Sequence, residues 1–170
     1  MKRSRPRPGV LILLAVLSAA LLKAFVVDLA VVEGRSMLPA LEQGDLVLVL
    51  RCAYGLRLPG AGGEGAYLLR WGRPSPGEIV AAASPRDGLA VVKRVAAVGP
   101  AALVVEEGRL RGAGLDLPLV AAMAESLGPG LYLGRGSVFL LGDNAPESVD
   151  SRDYGAVPVE SIAGRVLFWI

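Results

Sequence analysis

The sequence contains no histidine among its 170 residues. This absence excludes a Ser-His-Asp triad, a Cys-His pair and every metal site that depends on imidazole. The single cysteine, Cys52, cannot form an intramolecular disulfide and offers no zinc-binding spacing. Because Cys52 ends the apolar run LVLVLRC, we expect a buried small hydrophobe and not a nucleophile. Acid–base chemistry must therefore use another side chain, and we expect no metal and no cofactor.

Lysine is also scarce, since the chain has 15 arginines but only Lys2, Lys23 and Lys93. Arginine serves wherever a plain surface cation is needed, so a lysine that persists is a candidate for chemistry that arginine cannot perform. The formal net charge is +2, but the basic residues ahead of Gly9 contribute +4 and leave −2 for the remainder. That remainder lacks the basic surface of a polyanion binder, and we expect no nucleic-acid partner.

An apolar segment from Gly9 to Val27 is interrupted only by Lys23. As a helix it would be about 28 Å long, which just spans a bilayer core if Lys23 extends toward the interface. A cleavable signal peptide is the alternative, although no small-x-small cleavage site follows. The positive-inside rule predicts a cytoplasmic head at 1–8, a single transmembrane anchor at 9–27 and an extracytoplasmic domain at 28–170 in the cell membrane.

The remainder alternates strand-length apolar runs with glycine and proline. The runs are DLVLVLR, EIVAAAS, LAVVKRVAAV, ALVVEE, SVFLLGDN and GRVLFWI. This pattern predicts a mainly β domain of short antiparallel strands, with EGRL at a hairpin tip. Leu119–Leu127 has a helical pattern, which predicts either a single helix or an insertion, and we expect a flexible surface loop at Gly60–Gly65.

Two short stretches admit both a structural and a chemical interpretation. GRSMLPAL, which contains Ser36, reads by itself as a turn. Lys93 lies in the strand-like LAVVKRVAAV, where it would ordinarily face solvent. Burial would instead lower its pKa and leave a neutral amine able to act as the base that a serine nucleophile needs.

A third stretch, GDNAPESVDSRDYGAVP at 142–158, concentrates polar residues after an apolar strand. It reads either as an Asx-rich loop with an Asp150–Arg152 ion pair or as a hydrogen-bonded wall beside a site. Ser148 is its member best suited to orient a neutral lysine.

These three stretches, in this order behind an apolar N-terminal segment, resemble bacterial type I signal peptidase, the membrane-bound leader peptidase. The resemblance implies a coiled antiparallel β-sheet domain behind one transmembrane helix, and a serine endopeptidase that removes signal peptides from exported preproteins. Its implied partners are those preproteins and the lipid bilayer.

The resemblance also implies roles for individual residues. Ser36 matches the nucleophile, whose backbone N–H would serve the oxyanion hole, and Lys93 matches the general base. Ser148 matches the hydroxyl that orients the lysine, and Asp150 and Arg152 match a supporting ion pair. The expected walls of shallow substrate pockets are Val32, Met37, Leu41, Val91 and Val92.

The chain departs from the family pattern at several positions. Gly34 replaces an oxyanion-hole serine found in some members, and the other departures are Ala40, VGPAA after the lysine strand, Ala82 and Ala83. Two rival functions remain at this stage: a self-cleaving Ser-Lys repressor-type protease, and a degenerate peptidase that only binds secreted chains.

Overall fold

The computed structural model describes residues 8–57 and 67–170, and within these ranges it is mainly β. The expected loop at Gly60–Gly65 lies outside the described residues. Three α-helices are present in the described part: α1 (Pro8–Phe25), α2 (Ala121–Leu127) and α3 (Ser151–Tyr154). The strands are β1 (Val27–Val31), β2 (Leu46–Leu50), β3 (Gly55–Arg57), β4 (Tyr67–Arg70), β5 (Ile79–Ala83), β6 (Ala90–Val98), β7 (Ala101–Glu106), β8 (Arg109–Gly112), β9 (Leu115–Pro118), β10 (Gly130–Leu133), β11 (Ser137–Leu141), β12 (Val157–Pro158) and β13 (Ile162–Trp169).

The main sheet has seven strands in the order β1-β2-β13-β5-β6-β11-β12, and every neighbouring pair is antiparallel. The register shifts where β13 meets β2 and β5, and again between Phe139 and Leu140 of β11. Such irregularities bend a sheet and increase its twist. The expected coiled antiparallel fold is therefore confirmed.

A smaller sheet, with the strand order β10-β7-β8-β9, comes after β6 in the chain, and α2 connects its strands β9 and β10. The predicted hairpin tip lies at Glu107 and Gly108 between β7 and β8, and α2 falls within the predicted helical segment. This sheet shares a hydrophobic cluster with the main sheet, in which Leu103 and Leu110 pack with Phe139 and Ala97. It is therefore joined to the main sheet by a common core.

The strand β6 places Lys93 at the centre of the main sheet. Val80 of β5 is its partner on one side, and on the other Arg94 pairs with Leu141, the last residue of β11. The polar stretch that begins at Gly142 therefore leaves the sheet beside Lys93. A second hydrophobic cluster, which includes Met37, Leu41 and Val47, supports the chain between β1 and β2.

The helix α1 has no buried residue and a mean hydropathy of 2.2. It is long and apolar enough to cross a membrane, and it ends at Phe25, two residues before the expected boundary at Val27. Val27 instead begins β1, because its backbone pairs with Leu50 while Val26 accepts a hydrogen bond from the Arg51 N–H. The sequence pattern does not predict this strand, because its first residue, Val27, belongs to the apolar run assigned to the helix.

Cys52 is half-buried in the turn that follows β2. Cys52 is therefore only partly the buried small hydrophobe that was expected, because β2 ends at Leu50 and the chain turns toward β3 before Cys52 can enter the core.

Candidate active site

Ser36 lies in a tight turn between β1 and β2, which the neighbouring loop holds in place. Within the turn, the Leu41 N–H donates to the Met37 carbonyl at 2.9 Å. Across the site, the Asn144 N–H donates to the Ser36 carbonyl at 2.9 Å and its side-chain amide donates to the Arg35 carbonyl at 3.0 Å. Asn144 therefore ties the serine turn to the polar loop that follows β11.

Lys93 points into the protein and is only 3% exposed. Its Nζ lies 2.7 Å from Ser36 Oγ and 3.1 Å from Ser148 Oγ. The outward-facing interpretation of this lysine is thus wrong. The fold brings together three residues that lie more than fifty positions apart in the chain.

Burial lowers the pKa of Lys93 below that of an ordinary lysine, because desolvation disfavours the ammonium form. Asp150 and Asp153 act in the opposite direction, and Arg152 reinforces the lowering. The amine is therefore more readily neutral than an exposed lysine, as a general base requires.

Ser148 connects the lysine to a buried ion pair. Its hydroxyl donates to Asp150 Oδ2 at 2.7 Å while its oxygen accepts from Lys93 Nζ. Arg152 binds both carboxylate oxygens of Asp150, through Nε at 2.9 Å and Nη2 at 2.7 Å. The expected Asp150–Arg152 ion pair is present, with both residues in the interior.

Asp150 also organises the local backbone. It caps α3 by accepting from the Arg152 N–H, and Asp153 completes the reciprocal capping box by accepting from the Asp150 N–H. Burial would raise the pKa of Asp150, but hydrogen bonds from Arg152, the Gly142 N–H and Ser148 lower it overall. The carboxylate therefore stays charged and keeps accepting these hydrogen bonds.

Arg94 and Asp143 form a second ion pair beside the site, with Nε–Oδ1 and Nη2–Oδ2 distances of 2.7 and 2.6 Å. The sequence analysis did not pair them. Arg94 directly follows Lys93 and Asp143 directly follows Gly142, so this bidentate contact fixes the loop against the lysine strand. The adjacency of a charged residue to each motif was the only available signal.

A cavity of about 370 Å³ opens beside Ser36 and Lys93. It lies between 30–33 on one side and 89–93 on the other, and it contains four of the five expected pocket residues: Val32, Met37, Val91 and Val92. Leu41 is the exception. It is fully buried among Val47, Val49 and Ile79, so it supports the cavity wall from behind. The cavity also includes Glu33, which the sequence analysis did not single out.

Gly34 has φ +91°, a conformation that side chains rarely adopt. The position of an added Cβ has no neighbour within 4 Å, so the glycine is required by backbone conformation and not by space. The Ser36 N–H has no acceptor within the described part of the chain, which leaves it available to an oxyanion.

A family model of signal peptidase, peptidase S26, matches residues 7–170. The chain belongs to the signal peptidase family. It is therefore a serine peptidase, and the removal of signal peptides is the activity that family membership supports. Membership also decides against the self-cleaving repressor-type protease.

Similar proteins span nearly the whole chain. A probable signal peptidase I of Synechocystis is 30% identical over 160 residues, covering 93% of this chain and 78% of that protein. Signal peptidase I of Bacillus caldolyticus is 30% identical over 183 residues, covering 98% and 90%. A crystal structure of a signal peptidase I from Enterococcus faecalis is 27% identical, with a TM-score of 0.41, and matches 56% of this chain and 97% of that one.

Gly142 offers a direct test of the packing in this peptidase. A Cβ on Gly142 would overlap Ser148 Oγ and the Ser36 carbonyl oxygen. We expect Gly142→Ala to lower preprotein cleavage about 100-fold, because displacements near 1 Å in an active site have effects of that size. Gly134→Ala is the matched control, since its Cβ would meet only Ser137 Oγ at 4.0 Å. Equal cleavage rates for the two folded variants would contradict this packing argument.

Proposed function

We propose that this chain is a membrane-anchored endopeptidase that removes N-terminal signal peptides from exported preproteins by a Ser-Lys acyl-enzyme mechanism. The observation that carries the proposal is the 2.7 Å approach of Lys93 Nζ to Ser36 Oγ at a buried position. The mechanism uses groups of this chain and water alone.

The hydrogen bonds around Ser148 support the role of Lys93 as base. The only hydroxyl proton of Ser148 is directed to Asp150, so its oxygen can only accept from the lysine. A neutral amine that donates one N–H to Ser148 can turn its lone pair toward Ser36. Ser148 is therefore a positioning residue, and the Asp150–Arg152 ion pair fixes Ser148 in turn.

The reaction proceeds in two acyl-transfer steps. Lys93 takes the proton of the Ser36 hydroxyl as Oγ attacks the scissile carbonyl, and the Ser36 N–H stabilises the resulting oxyanion. The lysine ammonium then gives that proton to the departing amine of the mature protein, which leaves an ester on Ser36. Neutral Lys93 next activates a water molecule, which attacks the ester and releases the signal peptide.

The cavity suits an extended substrate segment that lies between 30–33 and 89–93. Alternate side chains of an extended peptide point the same way, so the residues at −1 and −3 from the cleaved bond would face the protein together. The branched or long side chains of Val32, Met37, Val91 and Val92 leave room there for alanine or glycine.

The arrangement of α1 supports a retained anchor over a cleaved leader. Only Val26 separates α1 from β1, and β1 is a strand of the catalytic sheet. Near the end of the helix, Lys23 Nζ lies 3.9 Å from Asp28 Oδ1 in β1. A cut near Ala24 would fall inside α1, directly against the first strand of the sheet, and we therefore assign α1 to the bilayer as a retained anchor.

The exposed apolar surface around the site fits a substrate that arrives in the same bilayer. Leu29 and Val31 of β1 and Phe168, Trp169 and Ile170 at the chain's end are all exposed. These segments are neighbours through β2, with Trp169 opposite Val47 and Val31 opposite Leu46. We place the catalytic domain on the outer face of the cell membrane, with residue 1 in the cytoplasm.

The nucleophile and base are tested by Ser36→Ala and Lys93→Arg in a preprotein cleavage assay. Ser36→Ala should be inactive, and Lys93→Arg should lose at least about 10²–10⁴-fold, since arginine stays protonated and cannot act as a base. The control is Arg73→Lys, which exchanges the same two residue types in the opposite direction at an exposed position. Near-normal turnover by folded Lys93→Arg would refute the mechanism.

The pH dependence follows from the lowered pKa of Lys93. The base acts only when neutral, so kcat/KM should rise with pH as the lysine loses its proton. The midpoint of this acid limb should lie below the ordinary lysine value of about 10.4. A rate independent of pH where chemistry limits turnover, or a midpoint at the ordinary value, would argue against this base.

Substrate selection can be measured with a preprotein series varied singly at −1, −2 and −3. Alanine at −1 and −3 should permit cleavage, and phenylalanine at either position should block it by steric exclusion. Large residues at −2 should be tolerated because that side chain points away from the protein. Efficient cleavage after phenylalanine at −1 would show that the cavity residues do not form this pocket.

Orientation is tested by adding a protease to intact spheroplasts that contain the full chain. The positive-inside rule predicts digestion of the catalytic domain and protection of a cytoplasmic N-terminal tag. Complete protection of the chain would overturn the assigned orientation, and a mature form starting near Ala24 would restore the signal-peptide alternative.

A further inference from the structure

The paired strands β3 (Gly55–Arg57) and β4 (Tyr67–Arg70), together called the β3–β4 hairpin, present an apolar face that the catalytic mechanism does not use. Leu69 and Trp71 are 64% and 60% exposed. Leu68 is also exposed, but it precedes Leu69 in the strand and so points to the opposite face. Leu69 pairs directly with Leu56 across the hairpin, so these two side chains share a face. Trp71 follows Leu69 by two residues, and the alternation of an extended chain directs it to the same side.

This face is continuous with α1. An apolar groove of about 510 Å³ separates the helix from the hairpin, and its lining residues are Ser18, Leu21, Leu22, Phe25, Val26 and Leu56. Leu56 is thus the hairpin's contribution to a groove that otherwise belongs to the last two turns of α1.

The depth of the groove follows from helix geometry. Ser18 and Phe25 are about 10 Å apart along the helix axis. The 18 residues of α1 together extend about 27 Å, and the hydrocarbon core of a bilayer is about 30 Å thick. A helix of this length uses its full extent to span the core. With α1 in the bilayer as proposed, the groove and Leu56 would lie within the outer leaflet.

We infer that the β3–β4 hairpin dips into the outer leaflet, with lipid acyl chains filling the groove between α1 and Leu56. This surface is separate from the apolar residues of β1 and β13 near the active site, and the inference rests on the proposed anchoring of α1. The second contact would restrain the catalytic domain against tilting about the helix.

Fluorescence quenching by brominated lipids tests the inference. The full chain with Trp169→Phe, which leaves Trp71 as its only tryptophan, is reconstituted in vesicles of lipid brominated either high on the acyl chain or near its end. Trp71 should lose most of its intensity with the shallow bromines. Two controls in the Trp71→Phe/Trp169→Phe background carry Leu17→Trp, at the middle of α1, or Tyr132→Trp, at a 70% exposed position on the smaller sheet. Circular dichroism checks that each variant is folded.

The expected pattern is quenching of Leu17→Trp by the deep bromines, quenching of Trp71 by the shallow ones, and little quenching of Tyr132→Trp. If Leu17→Trp responds but Trp71 behaves like Tyr132→Trp, the anchor stands and the hairpin inference is wrong. If neither position 17 nor position 71 responds, the anchoring proposal fails and the inference fails with it.

Discussion

Burial of the Lys93 amine is the constraint on which the rest of the site depends. A lysine base must be neutral, and removing it from water is the main cause of its lowered pKa. The chain achieves this by setting Lys93 on a central strand of the main sheet, beside β5 and β11. A lysine at an edge strand would keep its water and remain an ammonium ion. The order of strands is therefore part of the proposed chemistry, as are the apolar residues that flank the lysine in β6.

The buried Asp150–Arg152 ion pair allows the lysine to be oriented without being recharged. A lone carboxylate close to Lys93 would raise the lysine pKa and oppose the effect of burial. Arg152 binds both oxygens of Asp150 and itself acts to lower the Lys93 pKa, so it opposes the effect of the Asp150 carboxylate on the amine. The direct polar contact of the lysine on this side is with the neutral Ser148 hydroxyl group, whose oxygen accepts a hydrogen bond from Lys93 Nζ. The ion pair therefore acts on the lysine through Ser148, which lies between them.

The short connection between helix and sheet links the site to the bilayer. Because β1 begins two residues after α1 and ends five residues before Ser36, the catalytic serine is held close to the membrane surface in our proposal. The 11 residues from Phe25 to Ser36 could span at most about 40 Å if fully extended, and the turn that contains Ser36 shortens that reach. A substrate whose apolar segment lies in the same bilayer would then meet the cavity from the side of β1. The apolar residues that the fold leaves exposed along β1 and β13 have a physical reason in this setting.

The sequence by itself determined the mainly β class, the long apolar segment and the identity of the chemically capable residues. Alternating apolar runs and the lack of histidine are local facts that need no coordinates, and the motifs were specific enough to nominate Ser36, Lys93, Ser148, Asp150 and Arg152. Only the tertiary structure decided whether Lys93 faced inward, because a strand's two faces are distinguished by what packs on each. It likewise revealed β1, whose first residue, Val27, belongs to the apolar run assigned to the helix, and it placed Leu41 in the core and not in the cavity wall. The Asn144 and Arg94–Asp143 contacts were also beyond sequence reasoning, since they join segments that only sheet pairing brings together.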